Sequence, residues 1–208
     1  MPSDDVGTLV ATGYDRVADR YERLELPERE WPRMRWLERL LDEVPAGARV
    51  LDAGCGNGLP ATQWIAQRHD ATGVDISAAQ IGRARRNVPE ATFVHGNLLG
   101  TELNEPFDAI AAFYVIEHLP REQHAAVFAR WHGWLNPGGR LLFTVEPYDE
   151  PGVVGDWLGE PMFFSQYDPE TTLQLLRDAG FEVLESRVET QFEGDHDVDY
   201  LWVLARRT

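Results

Sequence analysis

The sequence contains no lysine; all nineteen of its basic residues are arginines. That excludes chemistry built on a lysine Schiff base or a P-loop lysine. Positive charge is also scarce, and thirty-five acidic residues leave a formal net charge of -16. Such a surface repels nucleic-acid backbones and anionic membranes, so neither is expected as a partner. The densest arginine cluster, Arg83, Arg85 and Arg86, and the pair Arg206 and Arg207 read as a solvated helix face and a charged tail. There is one cysteine, Cys55, so no internal disulfide can form. No apolar run approaches membrane-spanning length, and neither a repeat nor a low-complexity stretch is present. The acidic opening MPSDDVGTLV has no signal-peptide pattern, and a soluble, cytoplasmic protein is the expectation.

What is present suits one domain. The 208 residues are 43% hydrophobic, enough for a sizeable core. Two amphipathic helices are expected first, over Thr8–Leu24 and Trp31–Val44, with Pro27 and Pro32 as punctuation between them. Residues 1–45 would then form a helical cap, and 46–208 the main domain. Short apolar strands follow at Arg49–Ala53, Ala71–Asp75, Ala91–His95, Phe107–Phe113 and Arg140–Val145. Helices separate them at Ala61–Arg68, from Ser77 to Asn87, and from Pro120 to Leu135, the last closed by the turn Asn136-Pro137-Gly138-Gly139. This alternation implies a parallel sheet with helices on both faces. At the end, Asp168 caps a helix running to Ala179, and strands at Phe181–Val188 and Tyr200–Ala205 are joined by a polar loop, Glu193–Asp199, without a helix. A direct connection suits an antiparallel pair, so one strand of the sheet should be reversed.

The first strand empties into Gly54-x-Gly56-x-Gly58 and then a helix that opens at Pro60. Glycines allow a sharp turn and let a ligand lie against bare peptide, and the helix start offers unpaired N–H groups. Asp75 ends the next strand about 20 residues on, where a carboxylate can accept both ribose hydroxyls. A dinucleotide fingerprint would place its last glycine where this chain has Leu59, which disfavours a pyrophosphate. Asp52, just ahead of the loop, would repel a phosphate but could orient around a cationic ligand. S-adenosylmethionine (SAM), with its sulfonium and amino groups and no phosphate, meets that description.

Val50-Leu51-Asp52-Ala53-Gly54-Cys55-Gly56-Asn57-Gly58 resembles the first motif of class I SAM-dependent methyltransferases. Gly73-Val74-Asp75-Ile76-Ser77 resembles their acidic second motif. Phe107-Asp108-Ala109-Ile110 with Ile116-Glu117-His118-Leu119 resembles the fourth-strand motif of the small-molecule (methyltransferase type 11-like) branch, and Leu135–Leu142 the motif before the fifth strand. The resemblance implies an α/β, Rossmann-like, seven-stranded and mostly parallel sheet with an antiparallel last strand. It also implies a SAM site in which Gly54, Gly56 and Gly58 line the methionine part. Asp75 would take the ribose, Ile76 would pack on the adenine, and the Phe113 and Tyr114 backbone would flank the methionine end. Where the family often has an aspartate for the adenine amino group, this chain has Gly96-Asn97-Leu98, and the Asn97 oxygen can accept the same bond. Residues 13–21 resemble the family's mobile entry helix, with Tyr14 and Tyr21 as candidates to close over the cofactor; ordinary core packing suits both tyrosines as well. Cys55, inside the loop, is a small packing residue rather than a nucleophile.

Methyl transfer from a sulfonium needs mostly positioning, with a general base if the acceptor is a hydroxyl. His118 and Glu146 lie at carboxyl ends of strands and are the candidate bases. His118 also suits a helix-entry residue bonded to a backbone carbonyl, and Glu146 a solvated strand end. The irregular segment 148–167 holds Trp157, Leu158, Met162, Phe163 and Phe164, with Gln166 and Tyr167 as polar tips. It reads as a lid and substrate wall or as a satellite core against the N-terminal helices. Metal ligands are not spaced for a site, and His196 among Asp195, Asp197 and Asp199 reads as a hairpin tip. The Asn/Asp-Pro-Pro-aromatic signature of base methylators is replaced by Phe113-Tyr114-Val115-Ile116. The function expected is therefore methyl transfer from SAM to a small organic acceptor, with oxygen as the expected acceptor atom, by a monomer or homodimer. A nicotinamide-dependent oxidoreductase and a non-catalytic SAM-binding or partner-binding module are the alternatives.

Overall fold

The computed structural model describes residues 3–24, 32–193 and 196–208; Pro27, Trp31 and Asp195 lie outside them. Two helices come first, α1 Ser3–Leu24 and α2 Pro32–Asp42. The alternating part runs β1 Arg49–Ala53, α3 Ala61–Ala66, β2 Asp70–Asp75, α4 Ala78–Asn87, β3 Thr92–His95, β4 Phe107–Ala112, α5 His124–Trp134 and β5 Leu135–Val145. Then come β6 Glu150–Trp157, β7 Glu160–Gln166, α6 Pro169–Asp178, β8 Phe181–Glu193 and β9 His196–Arg207.

Seven strands form one sheet in the order β3-β2-β1-β4-β5-β9-β8. β1 to β5 are parallel, and β9 is antiparallel to both of its neighbours. It is the one reversed strand, as a helix-free connection from β8 requires. Alternate residues serve opposite faces. Val50, Ala109 and Leu142 pack with Leu37 and Leu40 of α2 and Ile65 of α3. Leu51, Ile110 and Leu141 pack with Phe128 and Trp131 of α5 and Leu176 of α6. Burial on both faces is why these strands read as continuous apolar runs. The strand order reverses between β1 and β4, which opens a crevice at their carboxyl ends.

Caps follow the sequence. The Ser77 hydroxyl accepts the Gln80 N–H at 3.1 Å, and Asp168 accepts that of Thr171 at 3.0 Å. Several boundaries differ from expectation. The helix expected from Pro120 begins at His124, after 3-10 turns at Ile116–His118 and Arg121–Gln123. The turn Asn136–Gly139 is a bulge within β5: Phe107 pairs with Leu135, and Ala109 already with Arg140. α1 begins at Ser3 rather than Thr8. The largest difference is segment 148–167, expected to be irregular. It forms an antiparallel hairpin of β6 and β7, separate from the main sheet.

That hairpin is the platform for α1. Val6 and Val10 of α1 form a cluster with Met162 and Phe163, against which Tyr14, Ile76, Trp157 and Phe164 pack. The crossing is close at Gly13, where a Cβ would lie 2.8 Å from Met162 Cε and 3.2 Å from the Pro161 carbonyl oxygen. Arg16 and Arg20 pair with Glu160, and Arg20 donates to the Leu158 carbonyl. Among the described residues, no helix is long and apolar enough to cross a membrane.

Candidate active site

A cavity of about 800 Å³, its mouth included, lies at the carboxyl ends of β1, β2 and β4 beneath α1. Its walls bring together Tyr14, Tyr21, Gly54, Gly56, Asp75, Ile76, Asn97, Leu98, Phe113, Tyr114 and His118. These are most of the residues singled out for a cofactor, together with one candidate base.

The glycine loop is pinned to β2 by the Gly54 and Cys55 N–H groups, which donate to the Val74 carbonyl at 2.8 and 3.0 Å. Gly54, at φ 77°, passes so close to Val115 that a Cβ would lie 2.5 Å from its Cγ2. Gly56 lies beside the Tyr21 ring, whose Cε1 would be 3.7 Å from a Cβ at this position. Gly58 does not line the cavity. It packs against Val88 and Ala84, so its work is close approach of the loop to α4. Cys55 is buried between the loop and β2, and Gly73 leaves room for it, since a Cβ there would lie 2.7 Å from its Sγ. Burial, with Asp75 and Asp52 nearby, pushes the Cys55 thiol up, so it stays protonated. Asp52 lies buried behind the loop, where it accepts the Thr62 hydroxyl at 2.6 Å, and it is not part of the cavity wall.

Asp75 accepts the Gly56 N–H at 2.9 Å and the Ser77 N–H at 2.8 Å, one on each carboxylate oxygen. Burial nonetheless raises its pKa, because enclosure penalises the charge more than these bonds favour it. It is the one Asp, Glu or Arg among the described wall residues. A pyrophosphate would meet no arginine there, whereas a sulfonium cation with a ribose fits a wall of that kind. If SAM occupies the cavity, Gly54 and Gly56 would hold its methionine part, Asp75 its ribose, and Ile76 and Leu98 its adenine. Asn97 differs in detail from expectation. Its side-chain oxygen already accepts the Leu99 N–H at 2.8 Å, and its Nδ2 is turned toward Gly7.

Tyr114 takes a left-handed conformation, φ 57°, fixed by its N–H donating to Thr144 Oγ1 at 2.8 Å and its hydroxyl to Gln191 Oε1 at 2.9 Å. Phe113 and Tyr114 line the same cavity as Gly54 and Gly56, and the loop itself meets the next residue, Val115.

His118 is buried in the 3-10 turn after β4. Its Nδ1 lies 2.9 Å from the Phe163 carbonyl oxygen, which can only accept, so Nδ1 carries the hydrogen. Nε2 is then the acceptor, and the Tyr14 hydroxyl donates to it at 2.7 Å. Burial lowers the His118 pKa to about 4, so the ring is neutral. His124, buried at the start of α5, is also held at about 4 by burial. Both depressed values fall below those of the unfolded chain, so acid favours unfolding. Their contribution is present above about pH 6.5 and is lost as pH falls toward 4. Asp75 opposes this in sign, since its raised pKa makes its charged form a cost. His69 and His132 are lowered by burial as well, so four histidines stand against Asp75, and the melting temperature is expected to drop between about pH 6.5 and 4.5. His124→Gln, which does not itself line the cavity although its neighbour Gln123 does, should reduce that drop in calorimetry; an unchanged slope would remove His124 from the account.

The other candidates sit elsewhere. Glu146 accepts from Gln166 Nε2 at 3.1 Å and from the Tyr148 hydroxyl, off the cavity wall. Trp157, Met162 and Phe163 form the satellite cluster under α1, and Phe164 lies beside the His118 ring at 5.1 Å between centroids. Gln166 is buried against Glu146, and Tyr167 stacks under Arg121 at 4.7 Å. The cavity also has walls the sequence reading passed over: Val6, Gly7 and Val10 of α1, and Gln123. The spacing Val6, Val10, Tyr14 was the available signal, one residue per helical turn on a single face. Among the described residues there is no group of three or more His, Cys, Asp or Glu suited to a metal.

A family model described as a methyltransferase domain matches residues 20–186. The chain is 30% identical over 151 residues to an uncharacterized methyltransferase of Synechocystis sp., covering 68% of this chain and 70% of that one. It is 29% identical over 167 residues to the ubiquinone biosynthesis O-methyltransferase of Xylella fastidiosa, covering 65% and 64%. The chain thus spans about two thirds of each relative's length. In fold it resembles Burkholderia thailandensis 1,6-didemethyltoxoflavin-N1-methyltransferase, solved with S-adenosylhomocysteine (SAH) and 1,6-didemethyltoxoflavin. The TM-score is 0.77 at 22% identity, covering 100% of this chain and 91% of that one. The glycine loop, the carboxylate that ends β2, and a family match across most of the chain agree, and the chain belongs to the class I, SAM-dependent methyltransferases.

Proposed function

We propose that the protein transfers a methyl group from SAM to an acidic hydroxyl, such as a phenol or an enol, on a small molecule. The observation that carries this reading is the pair of Tyr14 and His118, hydrogen-bonded at 2.7 Å and both on the cavity wall. SAM, when bound, supplies an electrophilic methyl group. The chain supplies the path for a proton. As the acceptor oxygen gains its methyl group, its proton passes to the Tyr14 oxygen while the Tyr14 proton passes to His118 Nε2. The imidazolium so formed keeps its Nδ1–H on the Phe163 carbonyl oxygen. A histidine with a pKa of about 4 is a weak base, which matches a hydroxyl that releases its proton readily better than an aliphatic alcohol.

α1 and the hairpin would exclude water, with residues 1–45 as the cap and 148–167 as the support that holds it. Trp157, Met162 and Phe163 would act on the acceptor through α1, and Phe164 through the His118 ring. A monomer or homodimer acting on a free small molecule, without nucleic acid or membrane and in the cytoplasm, completes the reading. The test is methyl transfer from isotopically labelled SAM to matched phenols, enols, carboxylic acids, amines and thiols. Label on oxygen of a phenol or an enol supports the proposal. Turnover confined to carboxylic acids, amines or thiols refutes it.

A further inference from the structure

We propose that Asp15 is a positioning residue that couples closure of α1 over the cavity to occupation of the ribose site. The proposal rests on the reading of Asp75 as the ribose carboxylate, and concerns a contact outside the cavity wall. α1 contributes Val6, Gly7, Val10, Tyr14 and Tyr21 to that wall, so a ligand that fills the cavity exchanges past this helix. What holds the helix down on the β2 side is Asp15. Its Oδ1 accepts the Ser77 hydroxyl at 2.5 Å and the Ala79 N–H at 3.0 Å. A side chain from α1 thus helps to cap α4, satisfying an N–H group that a helix start leaves open.

Ser77 is the joint. It is fully buried, and every polar group it has is engaged in one chain of contacts. Its N–H donates to Asp75 Oδ1 at 2.8 Å, its Oγ accepts the Gln80 N–H at 3.1 Å, and its hydroxyl proton goes to Asp15. Asp15 and Asp75 are therefore two carboxylates joined through one serine, which places its N–H on Asp75 and its hydroxyl on Asp15. Ribose hydroxyls that donate to Asp75 hold it, and with it the Ser77 turn, in the position where the Ser77 hydroxyl meets Asp15, so an occupied ribose site favours Asp15 in place. Linkage makes the effect reciprocal: Asp15 in place favours the ribose. The exposed ion pairs of α1 are weaker candidates for such a role. Arg83 and Asp19 pair where Asp19 is 77% exposed, and Arg16 pairs with Glu160 while 61% exposed. Exposed pairs of this kind contribute little.

The experiment is stopped-flow release of SAH, read by tryptophan fluorescence, with binding measured by calorimetry. Asp15→Ala should speed SAH release roughly tenfold, the scale of one lost cap. Asp15→Asn keeps an acceptor oxygen and removes the charge, and should release SAH within about threefold of the parent protein. Ser77→Ala removes the same contact and the Gln80 cap with it, so it should release SAH at least as fast as Asp15→Ala, and the double variant should fall short of the sum of the two, because they share the Ser77–Asp15 bond. Hydrogen exchange supplies a readout that a merely structural cap would not move. SAH should slow exchange in α1 of the parent protein, but in Asp15→Ala it should slow exchange only around the glycine loop. Release unchanged in Asp15→Ala, or faster to the same degree in Asp15→Asn, overturns the proposal. Failure of the parent protein to bind SAH would instead strike the reading of the site itself.

Discussion

Asp75→Ala is expected to weaken SAH binding by roughly 2–3 kcal/mol, about 30- to 150-fold. The carboxylate serves three partners at once. It receives the Gly56 N–H and the Ser77 N–H, and in the proposed complex it also receives the ribose hydroxyls. Alanine removes the acceptor for the sugar and leaves two backbone N–H groups facing an enclosed space. The glycine loop then loses the bond that fixes Gly56 beside Tyr21. Asp75→Asn should fall between the two, because it keeps one carbonyl oxygen but sets an amide N–H₂ against a backbone N–H. The pH dependence has a definite sign. Only the carboxylate accepts from all of these donors, and burial raises its pKa. Affinity should therefore decline on acidification at a higher pH than for an ordinary aspartate, and Asp75→Asn should lack that decline. Calorimetry with SAH across a pH series reads both effects. Unchanged affinity in Asp75→Ala would remove this carboxylate from the site.

The parts of the site legible in the sequence are those whose geometry is local. The glycine loop and Asp75 are joined by one crossover, and their contact follows from β1 pairing with β2 in register. The reversed β9 was legible from the absence of a helix after β8. The hairpin of β6 and β7 was not. Pro151, Gly152, Gly155, Gly159 and Pro161 break the alternation that marks a strand. The apolar face of the hairpin is satisfied by Val6 and Val10, some 150 positions away in the chain. Its partner, rather than its own pattern, makes it a folded element. The same distance hid the role of Met162 and Phe163, which sequence alone places equally well in a substrate wall. The polar run 193–199 read as a loop, yet β8 and β9 pair out to Glu193 and His196. Cross-strand contacts hold that end, among them the Thr190 hydroxyl on Asp199 at 2.6 Å. Glu146 had the position of a base but not its surroundings, because Gln166 and Tyr148 occupy its carboxylate.

Tyr14→Phe is expected to lower kcat about 10²-fold, and His118→Ala about 10²- to 10⁴-fold, with SAH affinity nearly intact in the phenylalanine variant. Phenylalanine keeps the ring that packs edge-on against Tyr21 at 5.9 Å and His118 at 5.3 Å, and deletes only the hydroxyl that donates to Nε2. Cofactor cover and proton transfer are thereby separated. A ring retained without its hydroxyl should leave the Kd for SAH within a few-fold while the chemical step slows. The two side chains act as one path, so the double variant should be little slower than His118→Ala alone. The pH profile distinguishes this path from a free histidine base. A histidine of ordinary pKa would lose activity on acidification through about pH 6.5. His118, held near 4 by burial, stays neutral and able to accept a proton well below that. The limb attributable to it should therefore lie near pH 4 and be absent from His118→Ala. Single-turnover rates with an acceptor found in the labelled-SAM screen measure all of this without interference from product release. A Tyr14→Phe rate within about threefold of the parent protein would show that positioning alone drives the transfer, and that the 2.7 Å contact serves only to seat α1.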